Sequence, residues 1–469
     1  MVYELMHKDI VVADLEIDGD GDLQKLLAVY EPDHFPFGTD AGWEEKNPSG
    51  LKRWWKNRRI PMSRDDLAKT LGIILPEDTS TSRLLLHCHG LSLSDCYWIR
   101  EKGKGISFSE INFFENDYSY DLGDVLVGRQ EKKHPSFLSP DATSEGNLKK
   151  RWKIIQGNRV LLKSGSKPFC YEVYNEVIAS TVCAYLGIPH VDYFLVEDGG
   201  ETYCGCRDFV SYSQDFVTAY MVYKGGGKMN HESDYQFLLR RYRELGIVDA
   251  KKAIDQMLLV DYLLGNEDRH LNNFGLLRDA NTLEFVGVAP IFDTGSCLGF
   301  GLLDEELARS KTRPWKPFAS HQRRVQLDYL DQLPLKHPSS LVNVPTFVAL
   351  SLYAFPGLPV SRCRAIVGFV ERRVEEVCKR FGIPLTMEDA TLNKTQRAIL
   401  RYVSSQGGML SKAEELCSAL EISRITALRH IDVLVGLGRL KRIGSKKTGY
   451  WRLVKDQEAF LGQKQEFME

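Results

Sequence analysis

The stretch Gly265-Asn266-Glu267-Asp268-Arg269-His270-Leu271-Asn272-Asn273-Phe274 constrains this chain more than any other. An apolar segment, residues 253–264, runs into it, within a helix read over residues 249–264. A second short signature follows, Pro290-Ile291-Phe292-Asp293-Thr294-Gly295. Two carboxylates, an Asn and a His thus fall on two loops, each preceded by an apolar run. Phosphoryl transfer asks for such a set. One Asp orients the attacking hydroxyl or accepts its proton, and an Asn with a second Asp holds the magnesium that neutralises the phosphates. Hard oxygen ligands suit Mg²⁺, which keeps several waters and takes one or two protein carboxylates.

Asp268 precedes Asn273 by five positions, the spacing of base and metal ligand in a protein-kinase catalytic loop. In that loop His and Arg precede the Asp; here Arg269 and His270 follow it. The reversed order resembles the phosphatidylinositol-kinase-like branch of the kinase superfamily. Within that branch, Gly-Asn-x-Asp-x-His-x-x-Asn-Phe followed by Ala-Pro-x-x-Asp-x-Gly resembles the HipA-like serine/threonine kinases. The resemblance implies an α+β, bilobal protein-kinase-like fold with a mixed α/β N-lobe and a mainly helical C-lobe. It implies ATP and Mg²⁺ as cofactors, Asp268 as the catalytic base, and Asn273 and Asp293 as metal ligands. His270 is a second catalytic candidate that could itself act as a base, although the resemblance makes it a support for the loop.

The composition is ordinary for a globular protein, 43% hydrophobic and 26% charged, and a net charge of −2 excludes a chain that is polycationic throughout. Its 469 residues allow about three domains. The ten cysteines show no paired metal spacing and read as reduced thiols. With no signal peptide and no apolar run near the ~18 residues of a membrane span, a soluble cytoplasmic protein with no membrane partner is expected.

Residues 1–128 read as an accessory region. Two strands fill residues 2–17, and the acidic turn Asp18–Asp22 lacks the distal Glu of a calcium loop. Residues 54–61 mix tryptophans with positive charge and read as a helix with its aromatics turned inward. Ser63 is an expected N-cap for a helix continuing through Asp66. Residues 87–98 resemble the accessory N-terminal region of some HipA-like proteins.

Residues 129–385 read as the kinase core. A polar loop, residues 138–150, precedes a strand pair whose second strand ends in Lys163. That arrangement fits a phosphate-covering loop, with Ser144, Glu145 and Gly146 against the nucleotide and Lys163 on its phosphates. The loop has neither a Gly-x-Gly-x-x-Gly nor a Walker A pattern. In the resembled family this loop is mobile and autophosphorylated; Ser139, Thr143 and Ser144 are the candidates, and the sequence does not choose among them. A helix over 171–186, closed by Gly187, carries Glu176, which matches the family position of the carboxylate that holds the strand Lys. Asp208 and Phe209 fall where the resembled fold joins its lobes, beside the adenine. The segment 302–321, with Lys311, Arg313, Trp315, Lys316 and Phe318, is where a peptide substrate would dock, by analogy.

Residues 391–455 read as a third domain. Three short helices (394–405, 411–420 and 424–435), with Ser411 and Ser423 as caps, precede a hairpin, and the segment looks like a winged helix-turn-helix. It carries 13 Lys/Arg against 4 Asp/Glu, the footprint of a surface that binds phosphate backbones. Arg424, Thr426, Arg429 and His430 would face the major groove, with Lys446 and Lys447 in the wing. The same module also serves protein contacts or dimerisation.

The sequence thus points to an ATP- and Mg²⁺-dependent serine/threonine protein kinase of the HipA-like, toxin-type class. Its expected partners are a Ser/Thr protein substrate, an antitoxin or regulatory protein, and DNA through the C-terminal domain. Two other classes stay open: a DNA-binding transcription regulator with an inactive or ligand-sensing kinase fold, and a small-molecule or lipid kinase.

Overall fold

The computed structural model describes residues 1–39, 48–64, 80–129, 136–310, 316–318, 325–355, 358–383, 394–436, 439–445 and 449–453. The chain forms two compact units, residues 1–300 with 312–334, and residues 301–311 with 335–469.

The first unit begins with strands β1 (Val2–His7), β2 (Ile10–Ile17) and β3 (Leu23–Val29), then β4 (Tyr97–Glu101). They form an antiparallel sheet ordered β3-β2-β1-β4. The acidic turn sits between β2 and β3, and β3 itself is an element the sequence reading did not include. The helix Ser49–Asn57 buries Trp55 against this sheet, and the indole N–H donates to Gly21 O at 2.9 Å. The helix expected beyond Ser63 lies outside the described residues.

A second antiparallel sheet, ordered β5-β6-β8-β7, comprises β5 (Lys150–Ile155), β6 (Asn158–Lys163), β7 (Tyr193–Asp198) and β8 (Glu201–Arg207). The helix Tyr171–Leu186 follows β6 and ends on Gly187, whose φ of 65° suits a residue without a Cβ. A third sheet, β11-β10-β9, joins β9 (Gln214–Thr218), β10 (Gly275–Asp279) and β11 (Phe285–Val288). The helix Ala250–Leu264 is buried continuously from Ile254, so its hydrophobic face is the whole cylinder. Gly265, at φ 68°, ends it and starts the Asp268 loop.

In the second unit, the helices Val344–Ala354 and Val360–Phe381 precede the C-terminal segment. There the helices Lys394–Ser405, Ala413–Leu420 and Arg424–Gly436 alternate with β12 (Met409–Leu410), β13 (Leu440–Ile443) and β14 (Tyr450–Leu453), paired in the order β12-β14-β13. They share a core of Ile399, Val403, Leu416, Ile431 and Leu434. Ser423 Oγ accepts the Thr426 N–H at 3.1 Å, as a cap should, but the preceding helix starts at Ala413 after Lys412, so Ser411 is not its cap. No helix among the described residues is long and apolar enough to cross a membrane.

Candidate active site

Strand β6 ends with the Lys163 side chain buried. Its Nζ lies 3.2 Å from Glu176 Oε1, 3.2 Å from Tyr193 Oη and 2.6 Å from Asp293 Oδ1. Residues from a strand, a helix and a loop, 130 positions apart at the extremes, thus meet on one ammonium. Glu176 Oε2 accepts the Thr294 N–H at 2.8 Å, so both carboxylate oxygens are used. Burial alone would lower Lys163, but Asp293, then Tyr193 and Glu176, outweigh it and hold the ammonium well above its ordinary value. Burial likewise pushes Asp293 up, yet Lys163 and then Lys150 keep it well below the carboxylate range. Asp293 has φ 55°, a left-handed conformation uncommon for a residue with a Cβ and often found where function requires strain.

The Asp268 loop is fastened to the Asp293 loop through Arg269, a fully buried side chain. Its guanidinium donates to both oxygens of Asp261 at 2.9 Å, to Asn273 O at 3.0 Å, to Phe292 O, and to Thr294 Oγ1 at 2.9 Å. Asn273 Nδ2 donates to Asp268 O at 3.3 Å, which leaves its oxygen as the atom for a cation. His270 Nδ1 accepts the Asn272 N–H at 3.3 Å within the loop, and burial lowers its pKa. Asp268 is half exposed, and its Oδ1 accepts Lys316 Nζ at 2.7 Å.

A cavity of about 810 Å³ opens beside this centre, lined by Lys150, Lys163, Asn273 and Asp293, by Ser144, Glu145 and Gly146, and by Asp208 and Phe209. Sequence-derived candidates from five segments therefore share one cavity, whereas Asp268 is not among its lining residues. Phe209 packs with Phe216 and Phe292 at centroid distances of 5.5 and 5.2 Å, an aromatic cluster suited to a flat base. Burial pushes the Asp208 carboxyl up to about 8; its Oδ1 accepts the Val210 N–H at 3.0 Å. Trp54 and Asp95 also line the cavity, so the accessory region forms part of its wall.

The loop candidates for phosphorylation are all turned inward. Ser139 is fully buried and donates to Asp141 Oδ2 at 3.0 Å. Thr143 donates to Leu91 O at 2.9 Å and Ser144 to Asp141 O at 2.9 Å. Arg64, buried and from the accessory region, donates to Ser144 Oγ at 3.1 Å, to Ser144 O and to Gly146 O at 3.1 Å.

Comparison with known proteins adds one sequence match. No protein-family model matches the chain. A stretch of 131 residues, 27% of this chain, is 28% identical to a serine/threonine-protein kinase, CtkA, of Helicobacter pylori. The match spans 40% of the length of that curated relative. Among solved structures, the H. pylori proinflammatory kinase CtkA superposes with a TM-score of 0.39 at 17% identity, over 52% of this chain and 95% of that one. The Shewanella oneidensis MR-1 toxin–antitoxin complex of HipA, HipB and operator DNA gives 0.48 at 12% identity, over 81% and 97%. Superpositions this loose do not fix a fold.

Four residues of the site escaped the sequence reading. Lys150, at the start of β5, is buried with no carboxylate within ion-pair distance among the described residues, and burial and Lys163 lower it to about 8. Its Nζ lies so close to Gly146 that a Cβ there would stand 2.7 Å from it. A Lys opening the strand after the polar loop was the available signal. The Arg269–Asp261 pair had one too, an Asp inside an otherwise apolar helix. Arg64 had none. In the C-terminal segment Arg424, Ile425 and Arg429 are exposed. His430, expected in the major groove, is instead buried at 8% exposure beside the core residue Ile431 and does not face a groove. Lys446 and Lys447 lie outside the described residues.

Proposed function

We propose that the chain is an ATP- and Mg²⁺-dependent serine/threonine protein kinase of the HipA-like class, with a bilobal kinase core. The observation that carries this reading is Lys163 held between Glu176 and Asp293, on a cavity shared with Asn273 and the residue 144–146 loop. A kinase requires that strand-Lys and helix-Glu pair together with a metal-binding Asp. The donor set fits magnesium: one carboxylate and one amide oxygen are hard ligands that leave room for phosphates and water. Bound there by Asn273 and Asp293, the metal would supply charge neutralisation on the phosphates.

The chain's own groups do the rest. Lys163 and Lys150 hold phosphate oxygens, and Glu176 keeps Lys163 extended. Arg269 locks the two loops in register. Asp268 orients the acceptor hydroxyl and takes its proton. Ser139, Thr143 and Ser144 are the self-phosphorylation candidates, and Arg64 holds their loop closed. A regulatory protein of the antitoxin kind is the matching partner.

A second reading concerns the C-terminal segment, a winged helix that binds DNA. It is supported by the exposed Arg424, Ile425 and Arg429 at the start of one helix and by the local excess of positive charge. Incubation with labelled ATP and Mg²⁺, beside Asp268→Asn and Asp293→Asn variants, tests the kinase. Label mapped to the loop and absent from both variants is the expected result. No label together with no ATP binding overturns the enzyme and moves the weight to the C-terminal segment.

A further inference from the structure

We infer that Lys316 is a further catalytic residue, whose ammonium bridges Asp268 and the phosphoryl group being transferred. The inference rests on the kinase reading above and names the cation that its acceptor side requires.

Lys316 Nζ stands 2.7 Å from Asp268 Oδ1, although 48 residues separate them. Among the described residues no other cation pairs with Asp268: Lys163 is held by Glu176 and Asp293, and Arg269 by Asp261. An exposed ion pair is by itself weak evidence, because solvent screens it. What distinguishes this one is its anchor. Phe318, two residues on, is only 2% exposed and meets Tyr235, Phe274 and Tyr329 edge-on, at 5.5, 6.4 and 5.6 Å. Tyr329 Oη donates to Phe318 O at 2.7 Å. Phe274 is the last residue of the Asp268 stretch, so the segment bearing Lys316 is built onto the catalytic loop.

The charge balance explains why a cation belongs there. A carboxylate that receives a hydroxyl proton must stand beside a polyanionic phosphate. Like charges that close repel, and the more so where protein has displaced water. Lys316 offsets this. An ammonium has three N–H donors. One serves Asp268 Oδ1, two remain for phosphate oxygens, and Oδ2 remains for the acceptor. As the acceptor oxygen bonds to the γ-phosphorus, its proton passes to Asp268. The bond from that phosphorus to the bridging oxygen breaks, and its electron pair leaves with ADP. Lys316 keeps its protons and follows the charge on the equatorial oxygens.

The test uses the full chain, labelled ATP with Mg²⁺, and transfer to the protein itself and to casein. Lys316→Ala and Lys316→Met should slow transfer at saturating ATP on the order of 10²-fold, with the ATP KM and the melting temperature unchanged. Lys316→Arg should restore part of the rate. A rate within twofold of the unsubstituted protein would overturn the proposal. A faster Lys316→Ala would also do so, because it would make the lysine a plug on Asp268. Asp268→Asn in the same assay separates the two levels: if it is inactive while Lys316→Ala is fully active, only the role of Lys316 falls. If the unsubstituted protein transfers no label, both fall.

Discussion

Arg269 and Asp261 form a fully buried, two-pronged ion pair, with Nε and Nη2 each 2.9 Å from a carboxylate oxygen. The pair ties the end of the helix Ala250–Leu264 to both loops of the site, since the same guanidinium holds Phe292 O and Thr294 Oγ1. Asn266 Nδ2 adds a bond to Asp261 at 2.8 Å. Removing one partner strands a buried charge. Asp261→Leu should therefore cost about 3–5 kcal/mol, read by urea unfolding, and should abolish ATP binding. A loss under 1 kcal/mol would show that the loops are held by other contacts.

The affinity for ATP should fall as pH rises through about 8. Burial, with Lys163 second, lowers the Lys150 ammonium from 10.5 to about 8. Below that value it is charged and attracts phosphate; above it the attraction is lost. Lys150→Met should weaken binding at pH 7 and flatten the profile from pH 7 to 9, measured by titration calorimetry. The stability linkage runs the other way. Between about 8 and 10.5 the unfolded chain binds more protons than the folded one, so this group's contribution to stability rises with pH.

Arg64→Ala should free the loop over residues 136–149 without touching Lys150 or Lys163. The variant loses the bonds to Ser144 and Gly146, about 1–3 kcal/mol for buried groups left unpaired. Faster hydrogen exchange confined to that loop, with a higher ATP KM and a higher rate of self-phosphorylation, is the expected pattern. Unchanged exchange would mean that the Thr143–Leu91 and Ser63–Asn147 bonds suffice.

For the C-terminal segment, two neighbouring residues should behave differently. Arg429→Ala should weaken duplex-DNA binding by about 1–3 kcal/mol, in a salt-dependent assay, with little change in melting. His430→Ala should lower the melting temperature, because that ring is buried. Equal DNA affinity for all variants, with a change in oligomeric state for Ile425→Ala, would assign the exposed face to protein contacts.

The sequence by itself determined the parts list. Motif spacing marked Asp268, Asn273 and Asp293, because phosphate and metal chemistry fixes residue type and local order. Hydrophobic periodicity marked the helices Tyr171–Leu186 and Ala250–Leu264, and Gly187 marked the end of the first, because those signals are local. What required the tertiary structure was long-range. Lys163 meets Asp293 across 130 residues and Lys316 meets Asp268 across 48. Neither separation follows from any period in the chain. Arg64 reaches Ser144 from another region altogether, with nothing in the intervening sequence to announce it. His430 shows the opposite limit. A helix face predicted from residue type alone put it outside, whereas the folded segment buries it. Burial is decided by what the rest of the fold places beside a residue, and only the folded chain supplies that neighbour.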